Sequence, residues 1–481
     1  MRTIFYDKKV TVVGLARSGV GAANLLCSLG AKVTVTDMKG RLQLEEFIRA
    51  LAPGISLALE NHPQELFDSP DLIVISPGVP GDIAPLRIAR GRGVRIIGEL
   101  ELAYEVLRSG LFSNVPGVLA VTGTNGKSTT TALLNEMLRH GGINTVLGGN
   151  IGNSIASELL DRLNTQDAVK KAGYIVLELS SFQLETIEFF RPLGAAILNV
   201  TPDHLDRYSG MESYIATKCR VSQNQGPSDY LILNADDAHT PEVENLIKAR
   251  KNGPGIFYFS RQREVMGAFF SRGLIHFNIP TEALGSLGAG IAPPDSSFFL
   301  DPASFCIKGV HNIENAMAAA LMAYLAGCDV KDIGQALGEF PGLEHRLEFV
   351  READGVRYIN DSKGTNIDAV LKSLEGFDAP VVLIAGGKDK DSDFNLMRPL
   401  LREKVKKVIL VGAAAEKMRK AFDGYIDYDM AGYDFHNAVE KARKAAVPGD
   451  VVLLSPACAS FDMFRDFEDR GRQFKQLVKE L

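Results

Sequence analysis

The sequence predicts an α/β protein of three domains built on parallel sheets, and three observations predict it. The chain has 481 residues, and at roughly 150 residues per domain that length fits about three units, each able to bury its own core. Short β-branched runs alternate with apolar-periodic helical stretches in three separate parts of the chain, the rhythm of strand–helix–strand crossovers. In the first two parts a glycine-bounded turn joins strand to helix.

Val10 to Val13 is a β-branched run ending at Gly14, and Ser18 to Leu29 is an apolar-periodic helix closed by Gly30. The strand Lys32 to Thr36 follows with Asp37 at its end, and a later strand, Leu72 to Ile75, precedes Ser76-Pro77-Gly78. This alternation reads as a Rossmann-like N-terminal domain. A second βα unit begins near Gly117. Its strand, Val118 to Thr122, runs into Gly123-Thr-Asn-Gly126-Lys127-Ser128-Thr129 and then a helix to about His140, which reads as a central P-loop ATPase-like domain with a parallel sheet. After Pro341-Gly342 come strands near Val356 to Asn360, Val381 to Ala385, Val408 to Val411 and Val451 to Leu454, a C-terminal Rossmann-like domain. The expected domains are 1–109, 110–341 and 342–481. The stretch from about 251 to 305 is rich in Gly, Pro and Ser, with short β-like runs to which no chemistry attaches.

Composition narrows the function. Lys plus Arg number 53 against 59 Asp plus Glu, a formal charge of −6 with no dense basic run, which argues against a nucleic-acid-gripping protein and leaves only local anion sites. The five cysteines are scattered without CxxC spacing, so neither a disulfide framework nor a zinc site is expected, and a reducing cytoplasm fits best. Met1 to Val10 has no apolar signal core, and the apolar stretch near Ala316 to Ala326 is too short to span a bilayer; neither export nor a membrane anchor is expected.

The strongest chemical signal is Gly123 to Thr129. Strand, glycine loop, Lys-Ser and helix start together aim backbone N–H groups and one ammonium at nucleotide phosphates. Lys127 belongs on the β/γ-phosphates and Ser128 on Mg²⁺. The loop has two residues between its glycines where the general motif has four. Glu178 ends the apolar strand that starts at Tyr174, where open α/β sheets bind ligands, and is a candidate Mg²⁺ ligand. His204 follows the strand Ala195 to Val200 within a polar cluster, a placement that fits a catalytic or metal role as well as a surface one. The N-terminal turn Gly14-Leu-Ala-Arg-Ser-Gly19 suits a phosphate but is not GxGxxG, and Asp37 lies 23 residues beyond Gly14. Spacing alone therefore leaves UDP, NAD and a bare packing turn all open.

The runs Gly123 to Thr129, Leu177-Glu-Leu-Ser-Ser-Phe-Gln-Leu-Glu185, Asn199-Val-Thr-Pro-Asp-His-Leu-Asp-Arg-Tyr208 and Tyr214-Ile-Ala-Thr-Lys218 resemble the Mur ligase family. His311-Asn312-Ile-Glu-Asn315, His345-Arg346, Asn360-Asp-Ser-Lys-Gly-Thr-Asn366 and Ser455-Pro-Ala-Cys-Ala-Ser460 are most similar to its D-glutamate-adding branch. The resemblance runs through nearly the whole chain in the family's order, with the 251–305 stretch long for the family.

The resemblance implies an ATP-dependent amide ligase of peptidoglycan precursor synthesis. ATP phosphorylates the carboxylate of UDP-N-acetylmuramoyl-L-alanine, and the amine of D-glutamate attacks the acyl phosphate. ATP falls to Gly123, Thr124, Asn125, Gly126, Lys127, Ser128 and Thr129, with Asn312, Asn315, Arg346 and Asp361. Two Mg²⁺ ions are implied, one at Ser128 and Glu178, the other at His204 and a CO₂-derived carbamate on Lys218. Gly14, Leu15, Ala16, Arg17, Asp37, Ser76, Pro77 and Gly78 would receive the UDP end, and Asn150 and His204 the muramoyl end. Lys363, Thr365, Lys390, Ser460 and Phe461, with Phe467 nearby, would receive D-glutamate. Lys127, His204, Lys218 and Arg346 carry the catalytic roles, and Cys458 is expected to be an unreactive thiol.

Without the resemblance, Asn312 and Asn315 read as a helix cap region, Arg346 as an interdomain salt-bridge residue and Lys218 as a surface lysine. The expected chain is a cytoplasmic monomer with no nucleic-acid or membrane partner. Another amide ligase of the same family, of the folylpolyglutamate or diaminopimelate type, is the nearest alternative, but no Asp-Asn-Pro-Arg run is present. An NAD-linked oxidoreductase leaves the Gly123 to Thr129 loop unexplained. A nucleotide-gated binding protein is separated from a ligase by amino-acid-dependent phosphate release from ATP.

Overall fold

Three sheets organise the computed structural model, which describes residues 3–112, 117–165, 173–205, 207–280, 282, 298–307 and 309–481. The first sheet has five strands in the order Ser56–Leu59, Lys32–Asp37, Lys9–Val13, Leu72–Ile75, Ile96–Gly98, all parallel. Strand order reverses between Lys9–Val13 and Leu72–Ile75. The turns after Val13 and after Ile75 therefore share one crevice at the carboxyl ends, the place where such sheets take ligands. Ser76 Oγ donates to the Gly14 carbonyl at 2.8 Å across it.

The central sheet has nine strands, ordered Phe299–Leu300, Leu274–Asn278, Gly267–Ser271, Gly255–Ser260, Tyr230–Asn234, Gly194–Ile197, Gly117–Thr122, Tyr174–Glu178, Thr145–Gly149. It is parallel from Thr145–Gly149 as far as Gly267–Ser271. The sheet is parallel-rich as expected, and beyond Gly267–Ser271 an antiparallel hairpin and a short edge strand extend it. These additions are the β-like runs of the 251–305 stretch. The third sheet, ordered Glu348–Ala353, Val356–Asn360, Val451–Leu454, Val381–Gly386, Val405–Val411, Tyr428–Gly432, is parallel apart from its antiparallel first strand.

Core composition shows which sheets share packing. One hydrophobic cluster runs continuously from Val10, Leu25 and Leu102 to Val118, Leu159 and Ile197, so the N-terminal sheet and one face of the central sheet share a single core. The opposite face is covered by helices Lys127–His140 and Val310–Leu325; the latter is alanine-rich and buried all round from Asn315 to Leu325, as a helix hydrophobic on every side must be. The third sheet keeps its own two cores and meets the rest largely through polar contacts. Among the described residues no helix is long and apolar enough to cross a membrane.

Candidate active site

The phosphate-type loop follows the buried strand Gly117–Thr122, and its conformation needs glycine. Gly126 has φ 83° and a Cβ there would stand 2.3 Å from Asn315 Oδ1, so any side chain would be both strained and displaced. The helix starts at Lys127. Lys127 Nζ folds back to donate to the Gly123 and Thr124 carbonyls at 3.0 and 2.8 Å. Burial pushes its pKa down, opposed by Glu178 and Asp203 and reinforced by Arg346 and Lys390. From the neighbouring strand end, Asn199 accepts from Asn125 N through its side chain at 2.8 Å and from Thr124 N through its carbonyl at 2.9 Å.

Glu178 is buried at the end of its strand. Oε1 accepts from Asn150 Nδ2 at 2.9 Å, whereas Oε2 has no hydrogen-bond partner. Burial alone would raise its pKa, but Lys127 and Lys363, with hydrogen bonds from Asn150 and Ser128, together outweigh it and hold the carboxyl below its ordinary range. An anionic, buried oxygen with no partner is costly, on the order of 1–3 kcal/mol or more, and a divalent cation is the partner its chemistry fits. His204, at φ 57°, packs edge-on against Phe182 with ring centroids 4.7 Å apart. Burial, with Lys390, Lys127 and Lys218 adding, pushes its pKa down to about 4 against the opposing pull of Asp203. The imidazole is therefore neutral at pH 7, the form that ligates a metal.

Lys218 is not a surface lysine. It is 1% exposed, its Nζ donates to Gly123 O at 2.8 Å and it stands 4.4 Å from the Tyr214 ring centroid. Burial, then Lys127, drives its pKa well below the ordinary value.

The third domain closes over these strand ends. Arg346 Nη2 donates to Ser128 Oγ at 3.2 Å, Lys390 Nζ to Asp203 Oδ1 at 3.1 Å, and Asn125 Nδ2 to Asp368 Oδ2 at 2.5 Å. Asn366 Nδ2 reaches both Asn125 Oδ1 and Asp203 Oδ2 at 3.3 Å. Lys363 lies 3.8 Å from the Phe467 ring centroid, its pKa lowered to about 8 chiefly by burial. Asp361 is buried, accepting from Ser455 Oγ at 2.6 Å and Ser373 Oγ at 2.8 Å, and burial raises it to about 6. Asn315 Nδ2 donates to Asn312 Oδ1 at 3.2 Å, one helical turn away, while its Oδ1 accepts from Thr130 Oγ1 at 3.2 Å.

Together these walls enclose a cleft of about 500 Å³. Lys127, Glu178, His204, Asn312, Asn315, Arg346, Asp361, Lys363, Thr365, Lys390 and Phe461 line it, as do Thr124 to Gly126, Thr129, Asn150, Pro77 and Gly78. Ser460 and Lys218 are buried and do not line it. Gly14, Leu15, Ala16, Arg17 and Asp37 are not brought to the cleft; they sit at the N-terminal crevice. There Asp37 first serves the backbone, accepting from Leu15 N at 2.7 Å and Lys39 N at 2.8 Å, and the exposed Arg17 reaches Glu468 of the third domain at 3.4 Å. Cys458 is buried with its thiol pushed up to about 12 by burial, an unreactive state.

Sequence reasoning assigned nothing to Asp203, Asn366, Asp368 or Arg207. Arg207 pairs with Glu185 at 2.6 Å and donates to the Pro77 and Val79 carbonyls at 3.1 and 3.4 Å, so it ties the N-terminal loop to the cleft. Arg207→Ala is expected to lower stability by about 1–3 kcal/mol, less than for a fully buried pair because each side chain is about one-fifth exposed. Urea denaturation would register it as a fall in midpoint at unchanged slope.

Fold and cleft together define an α/β enzyme whose phosphate-type loop faces the third domain across one cleft. The chain belongs to the Mur ligase family: residues 8–98 match the Mur ligase MurD-like N-terminal domain, 121–323 the Mur ligase middle domain and 345–458 the Mur ligase glutamate ligase domain. It is 43% identical over 476 residues to a UDP-N-acetylmuramoylalanine--D-glutamate ligase of Geotalea daltonii, covering 98% of each chain. A protein of the same name from Koribacter versatilis is likewise 43% identical, again over 98% of both chains. The fold is similar to that of UDP-N-acetylmuramate-alanine ligase from Thermotoga maritima, with TM-score 0.59, 19% identity and coverage of 98% and 99%.

Proposed function

We propose that this chain joins D-glutamate to UDP-N-acetylmuramoyl-L-alanine at the expense of ATP, forming an amide through an acyl phosphate. One observation carries the proposal beyond kinship: the phosphate loop with anionic Glu178 and the cations Lys363 and Lys390 of the third domain face one cleft. The first group suits a triphosphate, the second a dicarboxylate. Residues 1–109 take the UDP substrate, 110–341 ATP and 342–481 the amino acid.

A carboxylate oxygen of the muramoyl-alanine attacks the γ-phosphorus, the bond to the β-phosphate oxygen breaks, and ADP leaves. The D-glutamate amine, having lost a proton, attacks the acyl carbon; the tetrahedral intermediate expels phosphate and sheds a second proton. Lys127 and Arg346 offset the charge that gathers on the transferring phosphoryl group. Ser128 and Glu178 would hold one Mg²⁺, and His204 with a carbamate on Lys218 a second; bound there, the ions supply Lewis-acid neutralisation of phosphate charge. Asn312 and Asn315 face the base or ribose, and Asp361 the nucleotide side. Gly14, Leu15, Ala16, Arg17, Asp37 and Ser76 receive the UDP moiety, with Pro77, Gly78 and Asn150 towards the sugar and muramoyl parts. Lys363, Thr365, Lys390, Ser460 and Phe461 orient D-glutamate, and Phe467 supports Lys363. The enzyme is a monomer, and both nucleotide substrates are those of the cytoplasm.

ADP release measured with UDP-N-acetylmuramoyl-L-alanine and a panel of D- and L-amino acids tests the function. Release that needs D-glutamate is expected. Release with meso-diaminopimelate or L-glutamate instead would move the chain to another branch of the family.

A further inference from the structure

Two buried carboxylates lie outside the cleft, on one helix of the N-terminal domain. Helix Glu99–Arg108 begins at the end of strand Ile96–Gly98 and presents Glu99 and Glu101, 2% and 0% exposed, to the central domain. Glu101 is fully employed as a latch: its oxygens accept from the backbone N–H groups of Glu188, Phe189 and Phe190 at 2.8, 2.8 and 3.1 Å. Glu99 differs. Its Oε1 accepts from Ala156 N at 2.6 Å, and its Oε2 has no hydrogen-bond partner.

Ala156 belongs to the first turn of helix Ile155–Thr165, whose N–H groups lack partners within the helix. The segment just before that helix returns to the cleft. Gly149 N donates to Asn153 O at 3.2 Å, Asn150 N to Glu178 O at 2.8 Å, and Asn150 Nδ2 to Glu178 Oε1. The turn from Gly149 to Ser154 is therefore pinned at one end by Glu178 and at the other by Glu99. Helix Arg17–Ser28 seals the second end, since a Cβ on Gly21 would stand 2.2 Å from Ser154 Oγ and 2.6 Å from Ser157 Oγ. A carboxylate kept dry at a domain junction with one oxygen unused is a poor choice for stability alone. Burial raises its pKa to about 7, only partly offset by Ala156 N–H and the Ser154 side chain, whereas Glu101 has three backbone donors.

We infer that Glu99 is a positioning residue of the active site, acting from the N-terminal domain through Ala156 on the turn that sets Asn150 against Glu178. It rests on the function proposed above, because Asn150 and Glu178 matter there as the muramoyl and metal side of the cleft. The D-glutamate side, on the third domain, is not reached by this path.

The test compares Glu99→Ala, Glu99→Asp and Glu99→Gln in the whole enzyme, with Glu101→Gln as the control at the same junction. Asp is one methylene too short to reach Ala156 N, whereas Gln keeps an acceptor oxygen in place. Ala and Asp are expected to raise the KM for UDP-N-acetylmuramoyl-L-alanine and the Mg²⁺ requirement by about tenfold, the lower end for outer-shell losses, with the KM for D-glutamate unchanged. Calorimetric affinity for UDP-N-acetylmuramoyl-L-alanine without metal should fall in parallel, and Gln should restore both within about twofold. Glu101→Gln should lower the melting temperature and leave these constants alone. Lower melting temperatures for Ala and Asp with unchanged KM and affinity would overturn the inference and leave Glu99 a structural latch. A wild-type enzyme that binds no UDP-N-acetylmuramoyl-L-alanine would instead overturn the proposed function.

Discussion

Lys127→Ala is expected to reduce ADP formation by about 10³-fold or more, the scale on which one cationic group stabilises phosphoryl transfer. The geometry explains why no neighbour substitutes. Lys127 is the first residue of its helix and is held over the loop by the Gly123 and Thr124 carbonyls. Arg346 is tied to Ser128 Oγ and Lys390 to Asp203, each anchored from the third domain. The substitution removes two hydrogen bonds, and Gly123 O still accepts from Lys218 Nζ, so the melting temperature should move by only a few degrees. Single-turnover assays that trap the acyl phosphate as a hydroxamate would place the loss before amide formation. Wild-type turnover in the variant would remove the phosphate loop from the mechanism.

The part of this site that sequence could reveal is the part built from local chemistry. Helix Lys127–His140 and strands Val356–Asn360 and Val451–Leu454 carry their own periodicity and punctuation, and the glycine loop announces its ligand through residue type and order. Glu178 was legible for the same reason, as an acid ending an apolar strand, whereas Lys363, three residues beyond strand Val356–Asn360, was singled out only through the family resemblance. The hairpin Gly267–Ser271 and Leu274–Asn278 was not legible as a hairpin because its turn is Arg272-Gly273, with Arg272 itself at φ 51°. An arginine does not signal a left-handed turn as Asn or Asp does.

Contacts between distant residues were illegible for a different reason. Asn125 and Asp368 are 243 residues apart, and Arg207 meets the Pro77 carbonyl across 130. Nothing in the local pattern of either partner names the other; a polar residue in a loop carries the same signal whether it faces solvent or another domain. Glu99 shows the limit most clearly. It reads as an ordinary acidic residue in the first turn of a helix, where the dipole favours it, and only tertiary packing turns it into a buried bridge between domains.

Lys218→Ala is expected to lose activity on a similar scale, and formate or acetate at millimolar concentration should restore part of it. The physical reason begins with the amine. A lysine that is 1% exposed beside the Lys127 ammonium, with its pKa lowered by burial and then by Lys127, gives up its proton more readily than an exposed lysine. The unprotonated nitrogen can then attack CO₂: the N–C bond forms, one C=O pair moves to oxygen, and the proton leaves to solvent, turning a cationic side chain into an anionic carbamate. A carbamate beside neutral His204 offers a cation oxygen and nitrogen ligands, which an ammonium at the same place would repel. Short carboxylates supply the missing oxygens from solution, so their effect in Lys218→Ala and their lack of effect on the wild type distinguish a lost ligand from a collapsed core. ¹³C NMR of enzyme equilibrated with ¹³C-bicarbonate should give a carbamate resonance that the variant lacks. Full wild-type activity with no such resonance, in enzyme freed of bicarbonate, would leave Lys218 as a neutral amine donating to the Gly123 carbonyl, with a purely structural part in the loop.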